Sequence, residues 1–340
     1  MKNLFDYATK ELSQDAFLMW LFANYDDTKI GILANDILGT FCNFEEDESI
    51  QELSVEAQWC KIDIAVWFKT NKRENVALFI EDKTYSNEHN QLSVYDSHID
   101  ILTDRTIYKI FYKTDFIDRD ERTRIKLTNE KNKTDWRIFD IFSIVSLFEK
   151  YQNVDNLIVS QYVEHIKNIQ EAVTNCTLPT QNGTQIDFLK WEAFFRNAIA
   201  PNLISSDNLC WWVSRSNYSY VYFCVRKNNG ENDFAMPYLE VRSRDCIGEC
   251  KDGVIGYFQI RLLCYGVKEE DFYRNSDNLI ENIRKSEFIC KHLRWHKNGV
   301  ESFPKQLGYS QKIPVHNQEE FVALAKHYME EYQKVMYNWH

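Results

Sequence analysis

Two hydrophobic rhythms run along the first half of the chain. Apolar residues fill most positions from Ala16 to Ala23, so residues 11–25 predict a largely buried helix whose start carries the polar exceptions Glu11, Gln14 and Asp15. Over residues 60–68 the period drops to two. Ile62, Ile64, Val66 and Phe68 alternate with Lys61, Asp63, Ala65 and Trp67, as in a strand. The polar stretch 70–75 and the apolar run 76–83 complete a hairpin. Residues 28–42 and 49–58 read as helical or irregular pieces around an acidic loop at 45–48. A helix from Ser86 to about Asp100 follows, then a strand at 107–113, a long charged connection over 114–135, a strand at 136–141, and helices at 143–151 and 156–173. Helix, hairpin, helix, strand, strand, helix predicts an α/β or α+β fold.

Residues 177–184 have linker composition, which divides the chain into domains at 1–176 and 185–340. The second is expected to be α+β. It has a helix at 188–199, strands at 210–215, 219–227, 238–244 and 257–265, and long helices at about 269–292 and 318–337. Asn317 and Glu320 are spaced as a capping box for the last helix.

Composition narrows the class. The 340 residues include 44% hydrophobic ones with few Gly and Pro, enough for a real core and unlike a low-complexity chain. No apolar run reaches membrane-spanning length, and the opening residues 1–7 lack an apolar signal segment, so a cytoplasmic protein without a membrane partner is expected. The nine cysteines are then expected to be reduced and mostly buried; Cys246 and Cys250 stand four apart without a second close pair, which argues against zinc. The net charge of −11 argues against broad electrostatic binding of nucleic acid. Residues 101–138 run against that trend, with ten basic and seven acidic groups. Arg119, Arg122, Arg124, Lys126, Lys131, Lys133 and Arg137, with Lys109 and Lys113 on the preceding strand, are candidates for a phosphate-contacting surface.

The chemistry concentrates in the hairpin. A hairpin symmetric about Lys72 sets Asp63 directly opposite Glu81 on one face, with Lys83 on the same face and Asp82 on the other. Like charges facing across a strand pair are destabilising unless something cationic lies between them. Hard carboxylate oxygens favour Mg²⁺ or Mn²⁺ in that role. An ordinary Asp63–Lys83 ion pair with a solvated Glu81 is the competing interpretation.

Asp63 followed by Glu81-Asp82-Lys83 resembles the Asp…Glu-X-Lys signature of the PD-(D/E)XK nuclease superfamily, with Ile62 where many members have Pro. Gln91-Leu92-Ser93-Val94-Tyr95 resembles the Gln-X-X-X-Tyr motif of the RecB-like and lambda-exonuclease-like branch. Glu11 fits the helix acid that those enzymes place ahead of the Asp strand, with Asp15, one turn on, competing for the role. The run from Glu11 to Leu21 is also similar to the opening of a bacterial nuclease-like group in the superfamily. The resemblance spans about residues 5–150. It implies a restriction-endonuclease-like core, a central mixed sheet flanked by helices, and a divalent-metal-dependent nuclease acting on DNA, in phage defence or DNA repair. Glu11, Asp63, Glu81 and the Asp82 carbonyl would be metal ligands, Lys83 would orient the attacking water, and Gln91 and Tyr95 would touch phosphate or position Lys83. The alternative is a catalytically silent nuclease-like fold that binds nucleic acid or protein.

The second half shows no such signature. Its aromatics, Trp211, Trp212, Tyr218, Tyr220, Tyr222 and Phe223, suit a core, a protein or self-association interface, or a surface that stacks bases.

Overall fold

The structure, a computed structural model, describes residues 3–6, 11–84, 86, 90–117, 119–203, 209–215, 218–225, 237–264, 269–290 and 306–336. The chain forms two compact units, divided between residues 171 and 172. Among the described residues no helix is long and apolar enough to cross a membrane.

The first unit is mixed α/β. Helices α1 (Glu11–Ala23) and α2 (Gly31–Cys42) precede strands β1 (Ile50–Trp59), β2 (Ile62–Thr70) and β3 (Val76–Lys83). Then come α3 (Gln91–Ile99), β4 (Thr106–Lys113), α4 (Arg119–Asn132), β5 (Trp136–Asp140), α5 (Ile141–Phe148) and α6 (Leu157–Val173). The five strands lie in chain order; β1, β2 and β3 pair antiparallel, whereas β3, β4 and β5 pair parallel. Parallel neighbours need a crossover of a dozen or more residues, and α3 and α4 occupy the two crossovers. All eight residues of the central strand β3 are buried.

Three elements differ from the expectation. Residues 50–59 form the edge strand β1 rather than a helical or irregular piece; Leu53, Val55, Ala57 and Trp59 alternate with Glu52, Ser54, Glu56 and Gln58, the period of a strand with one face partly covered. Residues 119–132 form α4, where the sequence suggests only a charged connection; its apolar anchor is essentially Ile125. Helix α3 starts at Gln91, five residues after Ser86, following Asn90 in the left-handed region at φ 63°.

One face of the sheet packs Ala65, Ala77, Phe79 and Phe111 against Leu92, Tyr95 and Ile99 of α3, together with Ile125 of α4. On the other face Tyr112 meets Phe41 of α2 and Tyr162 of α6.

The second unit carries α7 (Gln185–Phe194), a π-helical turn (Phe195–Ile199), α8 (Ala200–Leu203), β6 (Leu209–Arg215), β7 (Ser219–Val225), β8 (Tyr238–Arg242), β9 (Gly256–Phe258) and β10 (Ile260–Leu263). It ends with α9 (Glu269–Lys285), β11 (Ile289–Cys290), β12 (Gln306–Tyr309), β13 (Ile313–Val315) and α10 (Gln318–Val335). Six strands form one sheet in the order β11-β12-β10-β8-β7-β6. One face of it builds a core with the helices, through Val221, Phe223, Leu239, Val241, Phe194, Ile283 and Tyr332. The stretch 177–184, a linker by composition, is knit into this unit. Leu178 enters the core and its N–H donates to Gln318 Oε1 at 3.1 Å, while Thr184 caps α7 in a reciprocal capping box. Asn317 caps α10 as its spacing predicts, accepting from the Glu320 N–H at 2.8 Å.

Candidate active site

The register of the β2–β3 hairpin decides which side chains meet. Ile64 pairs with Ile80 and Phe68 with Val76, which is the pairing of a hairpin symmetric about Lys72 and carries Asp63 opposite Glu81. A slip of one residue would turn every β3 side chain to the other face. The turn is clamped against it: Glu48 Oε1 accepts from Thr70 Oγ1 and from Arg73 Nε, both at 2.6 Å, and Thr70 Oγ1 accepts from the N–H of Arg73 at 2.9 Å. Burial pushes the Glu48 carboxyl up, but the bonds from Arg73 and Thr70 outweigh it and hold the group at about 2.

At the far end of the hairpin the two carboxylates and the lysine come together. Lys83 Nζ lies 2.6 Å from Glu81 Oε1 and 3.7 Å from Asp63 Oδ2. Glu81 is 1% exposed, whereas the Asp63 side chain reaches 17%, so the cluster meets solvent through Asp63. Asp63 is fixed from both sides: Gln58 Nε2 donates to Oδ1 and the Asp82 N–H donates to Oδ2, each at 3.0 Å. Among the described residues neither Glu81 oxygen receives a well-aligned hydrogen bond. Burial first, and then the Asp63 charge, push Glu81 up to about 8, with Lys83 pulling the other way. Such a displaced carboxyl, with a specific charged neighbour, is a mark of functional sites.

Helix α3 delivers the Gln-X-X-X-Tyr pair one turn apart. Tyr95 is buried against this cluster; burial, and next the Glu81 charge, push its hydroxyl up. Gln91 stands half-buried on the first turn of α3. Asp82 contributes main chain only. Its side chain is wholly buried on the opposite face, where Gln14 Nε2 donates to it and Asp15 presses against it. Asp15, the rival for the helix acid, therefore belongs to the far face. The side chain of Glu11, like that of Arg119, lies outside the described residues.

The basic candidates fare unevenly. Lys109 is locked 2.7 Å from the buried Asp96, which also accepts from Trp136 Nε1 at 3.0 Å and Asn132 Nδ2 at 2.7 Å, so Lys109 holds α3 to the sheet and is spent internally. Lys113 is 1% exposed beside Lys83 in the parallel register, donating to the Ser86 carbonyl and lying 3.6 Å from Glu121. Arg122 pairs with Asp140 at 2.7 Å, and Arg137 donates to Asn43. Lys126, Lys131 and Lys133 are exposed. Sequence reasoning missed Gln58 and Asp96; neither lies in a motif, and both act through a fold-dependent contact. Of the cysteines, Cys246 is buried and Cys250 exposed, as are Cys60 and Cys176, so burial of the thiols is less general than expected.

Asp63 and Glu81, with the Asp82 carbonyl, are the residues that could hold a divalent ion. Among the described residues no cluster of three His, Cys, Asp or Glu side chains forms. Mg²⁺ does not require one, because it binds through one or two carboxylates and completes its shell with water and substrate phosphate. Glu81 Oε2, without a hydrogen-bond partner among the described residues, suits that role, while Oε1 faces Lys83 at 2.6 Å. No family model, curated protein or solved structure matches the chain.

Proposed function

We propose that the protein is a divalent-metal-dependent nuclease that hydrolyses phosphodiester bonds in DNA, with a restriction-endonuclease-like first unit. The observation that carries this reading is the meeting of Asp63, Glu81 and Lys83 at the solvent-reaching end of an otherwise apolar hairpin. The sequence order helix, Asp strand, Glu-X-Lys strand and Gln/Tyr helix supports it.

Hydrolysis adds water across one P–O ester bond. The water oxygen bonds to phosphorus, the bond to the leaving sugar oxygen breaks, and the water's protons end on that oxygen and in solvent. Asp63 and Glu81 would hold Mg²⁺ or Mn²⁺, which when bound lowers the pKa of a coordinated water and neutralises charge growing on the phosphate. Lys83 supplies a fixed ammonium beside the reacting centre, able to orient the water and donate to a phosphate oxygen. Gln58 and the Asp82 N–H keep the Asp63 carboxylate from rotating. Tyr95 offers a hydroxyl from the neighbouring helix to the same space, and Gln91 stands one turn before it on the same helix.

The direct Lys83–Glu81 contact at 2.6 Å favours a second reading, in which the lysine has replaced the metal and the fold binds without cutting. Incubating the purified chain with plasmid DNA, linear DNA and RNA in Mg²⁺, Mn²⁺ or EDTA separates the two. Cleavage that needs the ion and is lost in Asp63→Ala and Lys83→Ala supports the nuclease. Absence of cleavage and of metal binding by calorimetry leaves the binding module.

A further inference from the structure

A cavity of about 280 Å³ opens at the end of the first unit's sheet where β4 and β5 begin. Its size is close to the lower bound of ordinary ligand pockets. The pairing of the two strands starts only at Lys109 and Trp136, which leaves Ile107 and Tyr108 of β4 to wall the cavity. Thr134, Asp135 and Arg137 close it from the side of β5, and Asn43, the C-cap of α2, closes it from another. The candidate active site is at the opposite end of the strands. Glu81 and Lys83 lie level with Phe111 and Lys113, about 13 Å further along β4 than Ile107 and Lys109.

The lining is rich in donors and poor in acceptors. Arg137 is half-buried and meets no carboxylate among the described residues. Of the five N–H groups of a guanidinium, one reaches Asn43 Oδ1 at 2.8 Å and one the Thr40 carbonyl at 3.5 Å, so three remain. Asn43 gives its carbonyl to Arg137 and keeps its NH₂ group. Lys109 is 8% exposed and its charge is matched by Asp96. Two of its three N–H bonds go to Asp96 and Thr134, and no described oxygen takes the third. The one carboxylate on the lining is that of the exposed Asp135, which pairs with nothing among the described residues.

Unmatched donors around one uncompensated cation suit an anion with several oxygens. A phosphate monoester brings three strong acceptors, and a guanidinium takes two of them in a fork. Ile107 and Tyr108 supply a wall for an organic body, and Asp135 an acceptor for one of its O–H or N–H groups. We infer that this cavity binds a small phosphate monoester of mononucleotide type. The phosphate comes on a free small molecule and not within a nucleic-acid strand. A strand draws its affinity from several phosphate contacts, whereas this cavity presents one uncompensated cation, and the net charge of −11 repels a polyanion.

The test is isothermal titration calorimetry on the full chain in EDTA, where no metal can hold a phosphate at Asp63 and Glu81 and binding is read independently of the nuclease reading. The probes are thymidine monophosphate, inorganic phosphate, thymidine and an oligothymidylate. Both phosphates are expected to bind at one site per chain, and thymidine not to bind. Arg137→Met removes the fork and is expected to weaken the monophosphate at least about tenfold. Asn43→Asp should weaken it as much by setting a carboxylate against Arg137. Aspartate tolerates the left-handed backbone at φ 50° as asparagine does, so this variant puts no fold at risk. Absence of monophosphate binding at millimolar concentration overturns the proposal, as does unchanged binding in both variants. So does an oligothymidylate that binds more tightly than the monophosphate and is lost in the same variants, which would make the cavity part of a nucleic-acid track.

Discussion

Glu81, Asp82 and Lys83 are consecutive, charged and buried, yet the two faces of β3 deal with charge in opposite ways. On the face toward α3, Glu81 and Asp63 share the Lys83 ammonium, and Asp63 opens to solvent. On the face toward α1, Asp82 is sealed with Gln14 and Asp15 beneath the Tyr112–Tyr162 hydroxyl pair, and among the described residues it forms no ion pair. Burial, and then the Asp15 charge, drive Asp82 toward its neutral acid form. An unpaired buried ion costs several kcal/mol and neutralises instead. One strand thus shows both solutions: a lysine ammonium set between two acids where there is access to water, and a carboxylic acid with no cation beside it, used as a hydrogen-bonding group, where there is none. Only the first arrangement has the access to solvent that the proposed metal and phosphate chemistry requires.

The contrast breaks most severely at Lys83. Lys83→Met leaves Glu81 and Asp63 facing each other without a cation, and Asp63→Asn removes the solvent-reaching ligand. Each is expected to lower cleavage by about a thousandfold, the scale of losing one preorganised charge-stabilising group, as measured by single-turnover kinetics with saturating Mg²⁺. Cleavage within tenfold of the parent in Lys83→Met would show that this face is no more chemical than the other.

The next effect is on stability. Without metal the folded protein keeps a proton on Glu81 up to about pH 8, while the unfolded chain releases it near the ordinary 4.5. Between those values the folded state binds the extra proton, so stability must fall as pH rises through the window. Each unit of difference is worth about 1.4 kcal/mol, and relaxation and water entry reduce the whole to a few kcal/mol. Denaturant melts of the EDTA-treated protein from pH 5 to 8 are expected to show this decline, and Glu81→Gln to remove most of it. A parallel decline in both proteins would assign it to another group.

How much of this was legible in the sequence follows from the same contrast. The pairing of Asp63 with Glu81 could be read because turn symmetry fixes register, and register fixes faces. The fate of Asp82 could not, since its partners Gln14 and Asp15 lie far away in sequence and no motif marks a neutral acid. Helix α4 was hidden because a crossover anchored chiefly by Ile125 shows no apolar stripe; the requirement for a helix comes from β4 and β5 being parallel, which only the fold reveals. Edge strand β1 was legible, since Leu53, Val55, Ala57 and Trp59 alternate with Glu52, Ser54, Glu56 and Gln58. Lys109 looked available to a phosphate because nothing local announces Asp96 as its buried partner.

On the sealed face the effects shrink and change kind. Gln14→Met keeps the shape and removes the donor to Asp82, leaving a buried acceptor short of a partner. It should cost about 1–2 kcal/mol in denaturant melts and leave the cleavage rate within a few-fold. A loss of cleavage far beyond the loss of stability would mean that α1 positions the site through Asp82.

The smallest expected effect comes from the substitution that looks most drastic in the motif, Asp82→Asn. If Asp82 is held as the neutral acid, an amide of nearly the same shape takes over both of its tasks: Oδ1 accepts from Gln14, and the NH₂ group donates to Asp15 where the acid proton did. Its main-chain N–H still reaches Asp63, because that bond belongs to the backbone. Stability at pH 7 should therefore change by less than about 1 kcal/mol, and cleavage should stay near the parent rate. The same Asp→Asn exchange at position 63, on the other face, should abolish cleavage. A variant at 82 that unfolds or loses activity as fully as one at 63 would show that the far carboxyl is ionised and that the two faces form one electrostatic unit.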